Sequence, residues 1–237
     1  MTKLFVRHFT NIIKNIAVGS RITGAGALFG SIFSVAVLAG CSALPDKPQR
    51  AAMYDFGPGK AAGTADTQQT RLAPLALGDV VTSGGALDNT AVLYRLAYVD
   101  AQQLLPYSQA RWVMPPSQLV RQRLRDKLSE RRAVFGAGES ASLNRSQNAV
   151  LPRLLRLDLE EFSQLFSAPD VSVGLIRLRA NLLEITPAGE KLIGQRSFTI
   201  QKPAATADAP GGVRALTLAT DAAIEEIDQW LQQAPGT

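Results

Sequence analysis

Residues 153–162 read RLLRLDLEEF, and their spacing decides the fold. Leu155, Leu157 and Leu159 alternate with Arg156, Asp158 and Glu160. A period of two places the leucines on one face of a β-strand and the charges on the other. The same period returns in DVSVGLIRLRANLLEI, 170–185, where the apolar phase slips near Leu175 and Ile176 and predicts a bulge beside Gly174. TPAGE, 186–190, is a turn, and KLIGQRSFTIQ, 191–201, is the returning strand of a hairpin.

Toward the N-terminus the strands are shorter. One is expected near 51–56, followed by a loop over 59–70. RLAPLALGDVV, 71–81, is apolar, and Pro74 predicts an edge or bulge position. In NTAVLYRLAY, 89–98, one face carries Val92, Tyr94, Leu96 and Tyr98, and the other Leu93, Arg95 and Ala97.

Two segments change period. PPSQLVRQRLRDKLSERR, 115–132, opens on proline and spaces Val120, Leu124 and Leu128 four apart, which predicts an amphipathic helix. VRALTLATDAAIEEIDQWLQQ, 213–233, follows a Pro/Ala/Gly loop at 203–212. It collects Leu216, Ala223, Ile224, Ile227, Trp230 and Leu231 on one face, with Trp230 expected to plug the core. Long helices that each follow a block of strands define α+β: a single domain with a mostly antiparallel sheet and two long amphipathic helices packed on it.

The only cysteine, Cys41, closes an apolar run. Residues 1–24 carry Lys3, Arg7, Lys14 and Arg21 without an acid, and 25–40 are small and apolar, the pattern of a secretory signal. Leu38–Cys41 reads LAGC, which resembles the bacterial lipobox. The expected organisation is a lipoprotein signal peptide over 1–40, a lipidated tether over 41–50 and the domain over 51–237. Cys41 would carry a diacylglyceryl group and an N-acyl chain, such as palmitate, as the only covalent addition. Two or more acyl chains make a stable anchor where one does not. Ser42 follows where lipoproteins kept at the inner membrane commonly have Asp, so the expected address is the periplasmic face of the outer membrane.

The whole chain has a net charge of +5. The leader's four basic residues account for most of it, since 21 basic and 20 acidic residues remain from Cys41 onward. A nearly neutral domain gives no support for nucleic-acid binding. The sole histidine, His8, lies in the leader. From Ser42 onward no His or Cys is available for Ser-His-Asp or Cys-His catalysis or for the common zinc sites. GPGKAAG, 57–63, lacks the spacing of a phosphate-binding loop. Asp158 and Glu160 share a strand face, where alternating charge is far commoner than a catalytic pair. The reading is therefore no catalytic residue, no metal and no cofactor.

One local surplus stands out. Residues 117–132 hold six basic and two acidic side chains. Arg121, Arg125 and Arg132 fall on one side of the apolar stripe, and Lys127 and Arg131 on the other. Arg121, Arg125 and Arg132 are the candidate anion- or partner-binding residues, set against the plainer reading of a solvated basic face.

Taken together, YDFGPG (54–59), AVLYRL (91–96), YSQARWVMPPSQLVRQRLRDKL (107–128), RSFTIQKP (196–203) and ALTLATDAAIEEIDQWL (215–231) resemble the ABC-type transport auxiliary lipoprotein family. The most specific pairs are Tyr94-Arg95, Arg111-Trp112 and Trp230-Leu231. The resemblance implies an outer-membrane auxiliary subunit for intermembrane transport of phospholipid or other hydrophobic cargo. Its implied partners are an MCE-domain protein and an ABC permease with its ATPase, with phospholipid as a further candidate ligand and a homo-oligomer as an open option. The alternative is a structural or regulatory lipoprotein that binds cell-wall enzymes or a secretion assembly.

Overall fold

Three long strands carry the alternating segments: β6 (Arg153–Ala168), β7 (Val171–Thr186) and β8 (Gly189–Pro203). The computed structural model describes residues 50–59, 72–136 and 151–234, all within the unit Gln49–Thr237. The expected signal peptide, Cys41 and the loop over 60–70 lie outside the described residues. β6 and β7 are antiparallel from Leu154↔Leu183 to Ala168↔Val171, and β7 and β8 from Val173↔Pro203 to Thr186↔Gly189. The second hairpin closes at TPAGE as expected. Gly189 has φ 121°, a left-handed conformation that suits glycine.

The phase slip falls on β6 and not beside Gly174. Leu159 pairs with Leu178 and Glu161 with Arg177, so Glu160 is the extra residue of a bulge. Before it the odd residues Leu155, Leu157 and Leu159 are buried; after it Phe162, Gln164 and Phe166 take the core side. β7 stays in one phase, with Ser172, Ile176, Leu178, Ala180 and Leu182 buried. Leu175 only half-covers the opposite face. Gly174 has a different purpose. A Cβ there would lie 2.5 Å from backbone atoms of Ala215 and Leu216, so its absence lets a helix cross the strand.

β2 (Leu75–Thr82) and β3 (Ala91–Leu96) run parallel to β6, along successive parts of one edge. Pro74 immediately precedes β2, which lies between β6 and β5 (Val134–Gly136) and is therefore not an edge. A bulge does occur nearby, between Leu77 and Val80. β3 stops at Leu96. The turn of helix α1 (Ala97–Asp100) takes Tyr98 off the strand face and leads into β4 (Ala101–Trp112). β4 is antiparallel to β3 and parallel to β1 (Ala52–Tyr54). The sheet thus joins long antiparallel ladders to shorter parallel ones.

Helices α2 (Pro116–Ser129) and α3 (Ala209–Gln233) are the two long ones. α2 packs on β2 and β5, α3 on β6, β7 and β8, and the helices touch each other. α2 buries Leu119, Val120, Leu124 and Leu128, worth ~1.5–3 kcal/mol each. α3 starts four residues earlier than its apolar pattern because Asp208 caps it, accepting from the Gly211 N–H at 2.8 Å, and Pro210 sits in the first turn. Trp112, not Trp230, is the core plug. Trp112 is 1 % exposed and packs on Phe56 and Phe162 at 5.7 and 5.6 Å. Trp230 is partly buried, edge-on to Phe198.

Candidate functional site

The basic surplus of α2 meets an acidic row on α3. Asp221, Glu225 and Asp228 are spaced by four and three, which puts them on one helical face. Arg123 donates to both carboxylate oxygens of Asp221, at 2.7 and 3.0 Å, and this hydrogen bonding raises its pKa. Lys127 lies 2.9 Å from Glu130 and 3.6 Å from Glu225; its pKa is raised, chiefly by the bond to Glu130. Beyond the helix end, Arg131 approaches Asp228 at 3.8 Å and Arg132 donates to it at 2.9 Å.

Arg132 departs from the expectation that groups it with Arg121 and Arg125. Its side chain is 2 % exposed and its counter-ion Asp228 is 7 % exposed. Burial lowers the Arg132 pKa, against the pull of Asp228, and its Nε is buried without a hydrogen-bond partner among the described residues. The helical wheel misplaces this residue because α2 ends at Ser129; the chain then turns, and Arg132 is buried against Asp228 of α3.

Arg121 and Arg125 remain together, one turn apart. They border an open groove of about 620 Å³ between α2 and the β2 bulge, with Met114, Val80 and Gln118. Arg121 Nε donates to Gly78 O at 3.2 Å and lies 3.4 Å from Asp79, whose carboxylate is 88 % exposed. The bulge frees that carbonyl for the arginine. Arg125 is exposed, and among the described residues no carboxylate pairs with it.

Elsewhere the polar residues hold the sheet together. Asp158 accepts from Asn181 at 3.3 Å, and Glu160 pairs with Arg179 and Arg177 across the bulge, so both carboxylates are engaged in cross-strand contacts. On the core side Tyr107 donates to Gln164 at 2.8 Å, and Gln164 donates to Ser172 at 2.8 Å. Burial pushes the Tyr107 phenol up to about 12. Among the described residues no cluster of His, Cys, Asp or Glu is arranged to hold a metal, and no helix is long and apolar enough to cross a membrane.

The specific residue pairs of the sequence also have structural work. Tyr94 stacks on Tyr107 at 4.5 Å, while Arg95, on the other face, makes a two-pronged bond to buried Glu161. Arg111 donates to the Tyr107 and Ala110 carbonyls of its own strand, beside the register shift between β3 and β4. Such residues mark a fold more than a reaction.

Residues 54–228 match the family model of the ABC-type transport auxiliary lipoprotein component. The chain belongs to that family, whose members are transport accessories and not a known class of enzyme. The fold is similar to that of a Xanthomonas campestris protein of the DUF330 family, with a TM-score of 0.58 and 16 % identity over 76 % of this chain and 94 % of that one. An uncharacterized protein of known crystal structure is similar at a TM-score of 0.50 and 13 % identity, over 77 % of this chain and 99 % of the other. At these identities the likeness concerns the fold alone. No curated protein matches significantly.

Proposed function

We propose that the protein is an outer-membrane lipoprotein, lipidated at Cys41 and facing the periplasm. It would serve as the docking subunit of an ABC intermembrane lipid transport system of the MCE type. The observation that carries this reading is the family match over 54–228 downstream of the LAGC sequence at 38–41. Anchor and domain are then separate parts of one chain, as a docking role requires. The domain is read as contributing surface: Asp158 and Glu160 are engaged in cross-strand contacts, and Tyr94, Arg95 and Arg111 in holding the fold. The MCE-domain protein and the permease with its ATPase are the proposed partners.

Membrane fractionation with mass spectrometry of the N-terminal peptide tests the anchor. The expected result is an acylated Cys41 at the mature N-terminus in the outer-membrane fraction. A chain that keeps residues 1–40 and an unmodified thiol would remove the basis of the proposal.

A further inference from the structure

We infer that the groove between α2 and the β2 bulge binds the phosphate of a single glycerophospholipid with a net-negative headgroup. This rests on the lipid-transport reading above and names a ligand site for it. The first observation is how the charges are sorted. Arg123, Lys127, Arg131 and Arg132 each face an acid on α3, whereas Arg121 and Arg125 face the groove. The second is that Arg121 is held in place before any ligand arrives. Its Nε is fixed on Gly78 O, and its two terminal nitrogens have no hydrogen-bond partner among the described residues.

Two guanidinium groups four residues apart on a helix stand about 6 Å apart at Cβ, close enough to share the oxygens of one phosphate. Among the described lining residues Asp79 is the one carboxylate, and it is largely exposed, so those residues leave the groove a positive balance. The third observation concerns the rest of the lining. Val80 and Met114 give it an apolar wall, while Ser117 and Gln118 add neutral hydrogen-bonding groups. A bare inorganic anion makes no use of an apolar wall. An amphiphile does, with its phosphate on the arginines and its glycerol and upper acyl region against Val80 and Met114.

The test is native mass spectrometry of the full lipidated chain in non-ionic detergent, titrated separately with phosphatidylglycerol, diacylglycerol and inorganic phosphate. The expected result is one phosphatidylglycerol per chain, with diacylglycerol and inorganic phosphate bound far more weakly. Arg121→Gln with Arg125→Gln should weaken the lipid by about tenfold or more, as the loss of charge-assisted hydrogen bonds implies. Arg125→Gln alone, at a side chain with no partner among the described residues, should give part of that loss at an unchanged melting temperature. Equal retention of phosphatidylglycerol by both variants would overturn the inference, as would no binding by the native chain. Inorganic phosphate bound as tightly as the lipid would make this a free-anion site and overturn it too. Co-purification with the transporter is read separately, so failure of the groove and failure of the docking role are distinguishable.

Discussion

Arg132 and Asp228 form a buried ion pair, 2.9 Å from Nη2 to Oδ1, where the end of α2 meets α3. Removing one partner leaves the other charge buried and unpaired, a loss of ~3–5 kcal/mol. Asp228→Ala should therefore destabilise the domain by about that amount in urea unfolding, and Arg132→Met with Asp228→Leu should recover much of it. A single variant with native stability would mean that the seam is hydrated and the pair is ornamental.

Trp112 and Trp230 should differ. Emptying the Trp112 site removes a side chain 1 % exposed among Phe56 and Phe162, and Trp112→Ala should cost ~3–5 kcal/mol. Trp230 is only partly covered by Phe198, so Trp230→Ala should cost distinctly less. Melting curves of the two variants in the reverse order would contradict this description of the core.

Gly174→Ala places a methyl group 2.5 Å from the α3 backbone, where nothing flexible can yield. The helix must lift off β7, with a loss of ~1–3 kcal/mol or more. Gly84, where an added Cβ would meet nothing within 4 Å, is the contrasting site for contact, although a substitution at its φ of 135° would strain the backbone. A Gly174→Ala variant that melts like the native chain would show that the crossing has slack.

The cap of α3 sets a pH dependence. Hydrogen bonds from Thr206 and from the Gly211 N–H lower the Asp208 pKa below its usual 3.8. The stabilisation from its charge is present above about pH 4 and is lost as pH falls through the lower, folded-state value. Asp208→Ala should cost ~1 kcal/mol at neutral pH. Asp208→Asn, which keeps an acceptor but no charge, should trail the native chain at pH 7, and the gap should narrow as pH falls below the usual carboxylate range. A gap that does not change between pH 7 and the lowest pH at which both chains fold would rule out the carboxylate charge as its cause.

Much of the sheet is legible because the first half of β6 and most of β7 alternate between a covered face and a more open one, and a period of two reports that directly. The stripe of α2 at Val120, Leu124 and Leu128 is readable for the same reason. β4 has no such signature: Pro106 and the register shift near Tyr107 interrupt it, so it carries no continuous alternation. β5 is three residues long, too short for any period. The parallel joins of β2 and β3 to β6 are long-range pairings that local patterning does not encode. Reading α2 alone makes its charge look unbalanced. The offset lay in the sequence of α3, at Asp221, Glu225 and Asp228, but only the packing of the two helices brings it alongside. Arg132 is misjudged because a helical wheel assumes the helix continues past Ser129.

The central claim is docking, and co-purification tests it most directly. Full-length protein, tagged at its C-terminus and extracted from envelopes in mild detergent, is captured beside a Cys41→Ser variant of equal abundance. The account predicts recovery of an MCE-domain protein with its permease and ATPase in fixed proportion to the lipidated chain, and their sharp depletion from the Cys41→Ser capture. Capture of the lipidated chain without any of these subunits, or with cell-wall synthases in their place, would contradict it.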